Sequence, residues 1–192
     1  AEVAKLSLNS YVTMKISFAN MLADVCERIP GGNVDVVTNA LGKDSRIGEK
    51  YLKGALGYGG PCFPRDNKAL SFLAKELGVC VPLAEVVDLY NSGLAENTAA
   101  KIQRFIQSEM TIAVLGLAYK PLSNVIEESQ GMALAKCLSS RVRKVFVFDP
   151  LANENAAAVF SEVNIEVSES LPQCVACAQV VIIATPDPVL KI

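Results

Sequence analysis

The residues best equipped for chemistry lie in one short stretch, Gly57-Tyr-Gly-Gly-Pro-Cys62-Phe-Pro-Arg-Asp66. A thiol stands at the end of a glycine-rich turn, ahead of a helix that Asp66 is expected to cap. A helix N-terminus favours the thiolate, and Arg65 adds positive charge beside it. The glycines let a ligand approach the backbone, and exposed N–H groups there could hold an oxyanion or a phosphate. Thiolate, carboxylate and oxyanion site together are the equipment for covalent catalysis at a carbonyl. The bland alternative is a buried cysteine in a tight loop, and the residues alone leave both open.

Other chemistries are constrained by composition. The 192 residues contain no histidine, which excludes a His-based triad, a His-paired cysteine and most zinc sites on this chain. Cys174-Val-Ala-Cys177 has CxxC spacing but no second pair, so core packing is the expected role for both thiols. Five of the six cysteines (all but Cys62) sit in apolar or helical contexts, which suits buried free thiols and a cytoplasmic location. The formal net charge of −2 gives no reason to expect nucleic-acid or anionic-membrane binding. The longest apolar run, Val180 to Ala184, is far short of the roughly 20 residues that span a bilayer. The N-terminus, Ala-Glu-Val-Ala-Lys, does not read as a signal peptide.

The elements that must position the loop fall into two parts. Glu2 to Arg28 reads as a long helix ended by Pro30-Gly31-Gly32, and Asn33 as the N-cap of a short helix that stops at Gly42. Residues 43–64 form a glycine- and proline-rich loop. Asp66 opens a helix to about Leu77, and Pro82 begins another to about Ser108. From Thr111 the pattern changes. Thr111–Leu115, Lys144–Phe148 and Val180–Ala184 read as buried strands. Helical stretches lie near Ser129–Ser140, Asn153–Ser161 and Glu169–Cys177. Such alternation predicts a parallel sheet built from crossovers. The expectation is an α/β chain: an all-helical part over 1–108, then a small doubly wound, Rossmann-like sheet over 109–192, expected to be cut short. Asp149, after the second strand, lacks a glycine fingerprint and reads as a strand-end cap or loop residue rather than a ribose ligand.

The cysteine stretch closely resembles the Gly-Phe-Gly-Gly-Ser/Pro-Cys-Phe-Pro-Lys-Asp signature of the UDP-glucose/GDP-mannose dehydrogenase family. Lys5 with Asn9, Asp44-Ser-Arg46-Ile-Gly48, Tyr51-Leu-Lys53, Gly116-Leu-Ala-Tyr119-Lys120-Pro121, Phe148-Asp149-Pro150 and Ala184-Thr185 resemble further family segments, in order along the whole chain. The resemblance implies a nicotinamide-dependent oxidation of a sugar's primary alcohol to a carboxylate. Cys62 would attack the intermediate aldehyde. Lys5 and Asn9 would stabilise the oxyanion and order water, and Asp66 would act as a base or orient that water. Lys53, Tyr58, Gly59 and Lys120 would bind the nucleotide sugar, and Arg46 would reach it from a neighbouring subunit. Arg65 would face the NAD. The helical part would pair two subunits.

Two departures qualify this expectation. No Gly-x-Gly-x-x-Gly occurs, so NAD is expected to be held mainly by a domain this chain does not contain, and the chain alone is expected neither to bind NAD nor to turn over. Glu127 stands where the family usually has an arginine that contacts NAD. A non-catalytic nucleotide-sugar-binding or interaction module is the alternative. The set Lys5, Asn9, Cys62 and Asp66 speaks against it, because a binding module needs no nucleophile.

Overall fold

A computed structural model describes residues 2–190. The chain divides into two compact units. A helical unit takes residues up to 58 and 62–92, and a sheet unit takes 59–61 and the residues from 93 onward.

The helical unit contains α1 (Glu2–Cys26), α2 (Val34–Gly42), α3 (Phe63–Glu76) and most of α4 (Pro82–Ile102). Asn33 caps α2 as its sequence suggests, its side chain accepting from the N–H groups of Asp35 and Val36. The start of α3 differs from expectation. The helix begins at Phe63 with Cys62 as its N-cap, and the N–H of Asp66 donates to the Cys62 carbonyl at 2.9 Å. Pro64 falls in the first turn, where its fixed φ suits a helix and its missing N–H has no partner to lose. Asp66 is therefore inside the helix and free of capping duty. α4 stops at Ile102 and tightens into a 3₁₀ turn over Gln103–Phe105, short of the expected Ser108. Here α1 packs mainly on α3, and the most deeply buried positions are polar as often as apolar: Thr13, Asn20, Asp66 and Asn67 lie beside Ala19, Leu52 and Tyr58.

The sheet unit holds β1 (Thr111–Leu115), α5 (Gln130–Ser139), β2 (Lys144–Phe148), α6 (Asn153–Val159), β3 (Ile165–Val167), α7 (Leu171–Ala176) and β4 (Val180–Ile183). All strands are parallel, in the order β3-β2-β1-β4. β1 is buried along its whole length, paired with β2 from Thr111↔Lys144 to Leu115↔Phe148. β3 was not foreseen, because three residues with a charged one in the middle make no apolar run. The order reverses between β1 and β4, and in open parallel sheets such a switch point leaves a crevice beyond the strand ends. Gly116, just past β1, has φ 92°, and a Cβ there would meet the Thr185 side chain at 2.6 Å. Only glycine fits so close to the β4 end.

The cysteines divide differently from expectation. Cys26 and Cys174 are buried and Cys137 is half-buried, but Cys80 and Cys177 are exposed alongside Cys62. Cys174 packs on Ala113 and Leu115 from within α7. Cys177 is the residue that ends this helix, so its side chain turns out to solvent.

Candidate functional site

Within the helical unit, Lys5, Asn9, Arg65 and Asp66 come together beside Cys62. Lys5 and Asn9 are four apart on α1 and share one face of it. Asp66 projects from the first turn of α3 and is almost wholly inaccessible. Its Oδ2 accepts from Asn9 Nδ2 at 2.6 Å and lies 3.4 Å from Lys5 Nζ; its Oδ1 lies 3.3 Å from Arg65 Nε. The same guanidinium puts its Nη2 4.0 Å from Cys62 Sγ. Burial alone would raise the Asp66 carboxyl. The hydrogen bonds from Asn9, Arg65 and Lys5, with the Lys5 charge, outweigh it and hold the group below its usual value. Lys5, Arg65 and Cys62 remain exposed, so a thiol and two cations face solvent around one fixed carboxylate.

Beneath this cluster lies a buried hydrogen-bonded chain. Thr13 and Asn67 pair through their side chains, and Asn67 Nδ2 also donates to the Tyr58 hydroxyl at 3.1 Å. That hydroxyl donates to Asp88 Oδ1 at 3.1 Å. Burial first, then the neighbouring Asp88 charge, pushes the Tyr58 phenol well above its ordinary value, so it remains a protonated donor. Tyr58 is 3% exposed and points into the helical unit. The residues that hold it, Asn67, Asp88 and Asn91, were not foreseen. An asparagine on an amphipathic helix carries no signal of its own until the fold shows what it faces.

Two further sequence candidates, Arg46 and Lys53, belong to the helical unit. Arg46 folds back on Asp44, with Nη2 to Oδ2 at 2.6 Å, and stays exposed. Lys15 Nζ donates to the carbonyls of Ile47 and Gly48 and so holds that turn. Lys53 is exposed.

In the sheet unit, Gly59 is buried, and a Cβ on it would strike the Glu128 carbonyl at 2.3 Å. The adjacent Gly60 N–H donates to the Glu127 carbonyl at 2.9 Å, while the Glu127 side chain is exposed. Lys120 Nζ lies 5.3 Å from the Tyr119 ring centroid. Both line a cavity of about 540 Å³ with Leu122, Asn124, Val125 and Leu151. Asp187 shapes this turn by accepting from the Leu122 N–H, and Thr185 donates to the Ala118 carbonyl.

The turn after β1 answers the question raised by the absent glycine fingerprint. A dinucleotide pyrophosphate is held by backbone N–H groups at such a turn. Here the N–H groups of Leu117 and Ala118 donate to Asp149 Oδ2 at 2.8 and 2.9 Å. Asp149 Oδ1 accepts from Leu151 and Ala152 as well. Asp149 is thus a buried strand-end clamp that takes up the N–H groups of this turn. Among the described residues no group of three His, Cys, Asp or Glu side chains could hold a metal ion, and no helix is long and apolar enough to cross a membrane.

Comparison with known proteins bears on both units. Residues 1–93 match the family model described as UDP-glucose/GDP-mannose dehydrogenase family, central domain. Residues 113–192 match that of the UDP binding domain of the same family. UDP-glucose 6-dehydrogenase TuaD of Bacillus subtilis is 37% identical over 164 residues, which are 84% of this chain and 35% of that protein. The UDP-glucose 6-dehydrogenase of Rickettsia felis is 32% identical over 188 residues, 96% of this chain and 42% of that one. Among solved structures, a UDP-glucose dehydrogenase from Pyrobaculum islandicum superposes with a TM-score of 0.87 at 33% identity, covering 97% of this chain and 43% of its own. The chain therefore spans well under half the length of the relatives it matches.

Proposed function

The chain belongs to the UDP-glucose/GDP-mannose dehydrogenase family, and from that premise we propose that it carries the thiol half of an NAD-dependent nucleotide-sugar dehydrogenase that oxidises a sugar's primary alcohol to a uronate. The observation that carries the reading is the convergence of Lys5, Asn9, Arg65 and Asp66 beside an exposed Cys62. NAD supplies the chemistry of hydride acceptance. In this reading its pyrophosphate is held outside these residues, because Asp149 takes the N–H groups of the glycine turn after β1. What this chain contributes is addition to the aldehyde and release of the acid.

The Cys62 sulfur adds to the aldehyde carbon, forming a C–S bond and an oxyanion. The hydride on that carbon would pass to a bound NAD, and the carbonyl that reforms there would be a thioester. Water then adds, the C–S bond breaks, and carboxylate and thiol separate. Lys5 and Asn9 stabilise the oxyanion in the addition and hydrolysis steps. Asp66 orients rather than abstracts. A general base works best with a pKa near the operating pH, and this carboxyl is held low by three donors. Lys53 and Lys120 are the proposed contacts to the nucleotide sugar. The Tyr119 ring beside Lys120 offers a surface on which a base can stack. Gly59 lends backbone only, and Tyr58 supports the loop instead of touching substrate. Arg65 lies beside the thiol and would face a bound nicotinamide. Arg46 serves a neighbouring subunit in a dimer formed through the helical unit.

Calorimetry with UDP-glucose and with NAD on the same sample tests the reading. Weak UDP-glucose binding that is lost in Lys120→Ala, with no NAD heat, is expected. Tight NAD binding, or NADH formation by this chain alone, overturns the cofactor assignment.

A further inference from the structure

Tyr58 lies four residues before Cys62 and is held at both its main chain and its hydroxyl. Its N–H donates to Asn91 Oδ1 at 2.9 Å, and its carbonyl accepts from Asn91 Nδ2 at 2.9 Å. One side-chain amide thus pairs both backbone groups, as a neighbouring strand would. The hydroxyl donates to Asp88, which sits one turn before Asn91 on the same face of α4. It also accepts from Asn67 on α3, whose other partner is Thr13 on α1, four residues beyond Asn9. The Tyr58 ring meets the Phe63 ring edge to face, with centroids 6.1 Å apart, and Phe63 directly follows Cys62. A glycine-rich segment loses much conformational freedom when it is ordered. A grip of this kind, reaching the chain on both sides of Cys62, opposes that loss.

We propose that Tyr58, gripped by Asp88, Asn91 and Asn67, is a positioning residue that holds the Cys62 thiol beside Arg65 and the Asp66 cluster. The proposal rests on the reading of Cys62 as the nucleophile. Phenylalanine, which the family signature carries at this place, would keep the ring contact with Phe63. It would have no hydroxyl for Asp88 and Asn67, so the hydroxyl half of the grip is a property of this sequence.

The test compares Cys62 alkylation by iodoacetate, an anion, with alkylation by neutral iodoacetamide, each followed by peptide mapping. Held against Arg65 and near Lys5, the thiol favours the anionic reagent. In Tyr58→Phe the ratio of the two rate constants falls by about tenfold, the low end of electrostatic steering, and further in Asn91→Leu. At about 1 M salt, parent and variants converge. Val12→Ala, a buried change elsewhere on α1, matches the loss of stability and leaves the ratio unmoved. An unchanged ratio in Tyr58→Phe, with Cys62 still the fastest thiol, overturns the positioning role alone. An equal fall in Val12→Ala overturns it too, by showing general loosening. Faster labelling of another cysteine in the parent overturns the nucleophile reading and this proposal with it.

Discussion

In the sheet unit, Ile112, Val114, Leu115, Leu134, Leu138, Val145 and Val147 are all fully inaccessible and form an apolar interior. In the helical unit Thr13, Asn20, Asp66 and Asn67 share the comparably inaccessible places with Ala19, and many large apolar residues face outward. On α1 these are Val3, Leu8, Tyr11, Phe18, Met21 and Val25; on α4 they are Leu83, Val86 and Leu89. Apolar burial is strong but non-directional, whereas hydrogen bonds are weaker in net terms and fix geometry. The sheet unit is thus built for stability. The helical unit gives up interior apolar volume to set the angles and distances of a thiol, two cations and a carboxylate, and it leaves large apolar side chains exposed on α1 and α4.

Stability measurements can break that comparison. Leu134→Ala should show the largest effect, about 2–5 kcal/mol in urea unfolding, because it empties a fully buried site on α5, which packs on β1 and β2. Asn67→Leu should cost less, about 1–3 kcal/mol, by leaving Thr13 and Tyr58 each short of a buried partner. If the order is reversed, the helical unit depends on its polar core for stability and not mainly for geometry.

Acid titration sharpens the contrast further. The Asp66 carboxyl is lowered in the folded state, so its contribution is fully present above the unfolded value of about 4. It is lost as pH falls through the lowered folded value. Asp66→Asn should flatten that part of the acid limb, and an unchanged limb would mean that the cluster does not favour the ionised form. The smallest effect on the fold is expected at the outward faces. Sedimentation at micromolar concentration should show a dimer, and Leu89→Lys should shift it to monomer with helix content intact. A clean monomer in the parent counts against pairing through this unit.

Local patterns carried much of this in the sequence. β1, β2 and β4 are largely apolar runs, Asn33 sits where an N-cap must, and the cysteine stretch stands out as a candidate through its glycines, thiol and flanking charges. β3 is too short to leave a pattern. The start of α3 was misplaced because Asp66 looks like a cap, whereas its carboxylate is engaged by Asn9, Lys5 and Arg65. Exposure of Cys80 and Cys177 could not be read from apolar neighbours, since an apolar context does not say which way one side chain turns.

Sequence by itself determined the order of the elements, the candidate nucleophile and the absence of a glycine fingerprint, because each depends on residues near one another in the chain. Tertiary structure decided what those residues do. Asn91 meets Tyr58 across 33 positions, Asn9 meets Asp66 across 57, and Asp149 takes the Leu117 N–H across 32. Each polar group satisfies its hydrogen bonds with whatever the fold brings within about 3 Å, and no local spacing states which group that will be.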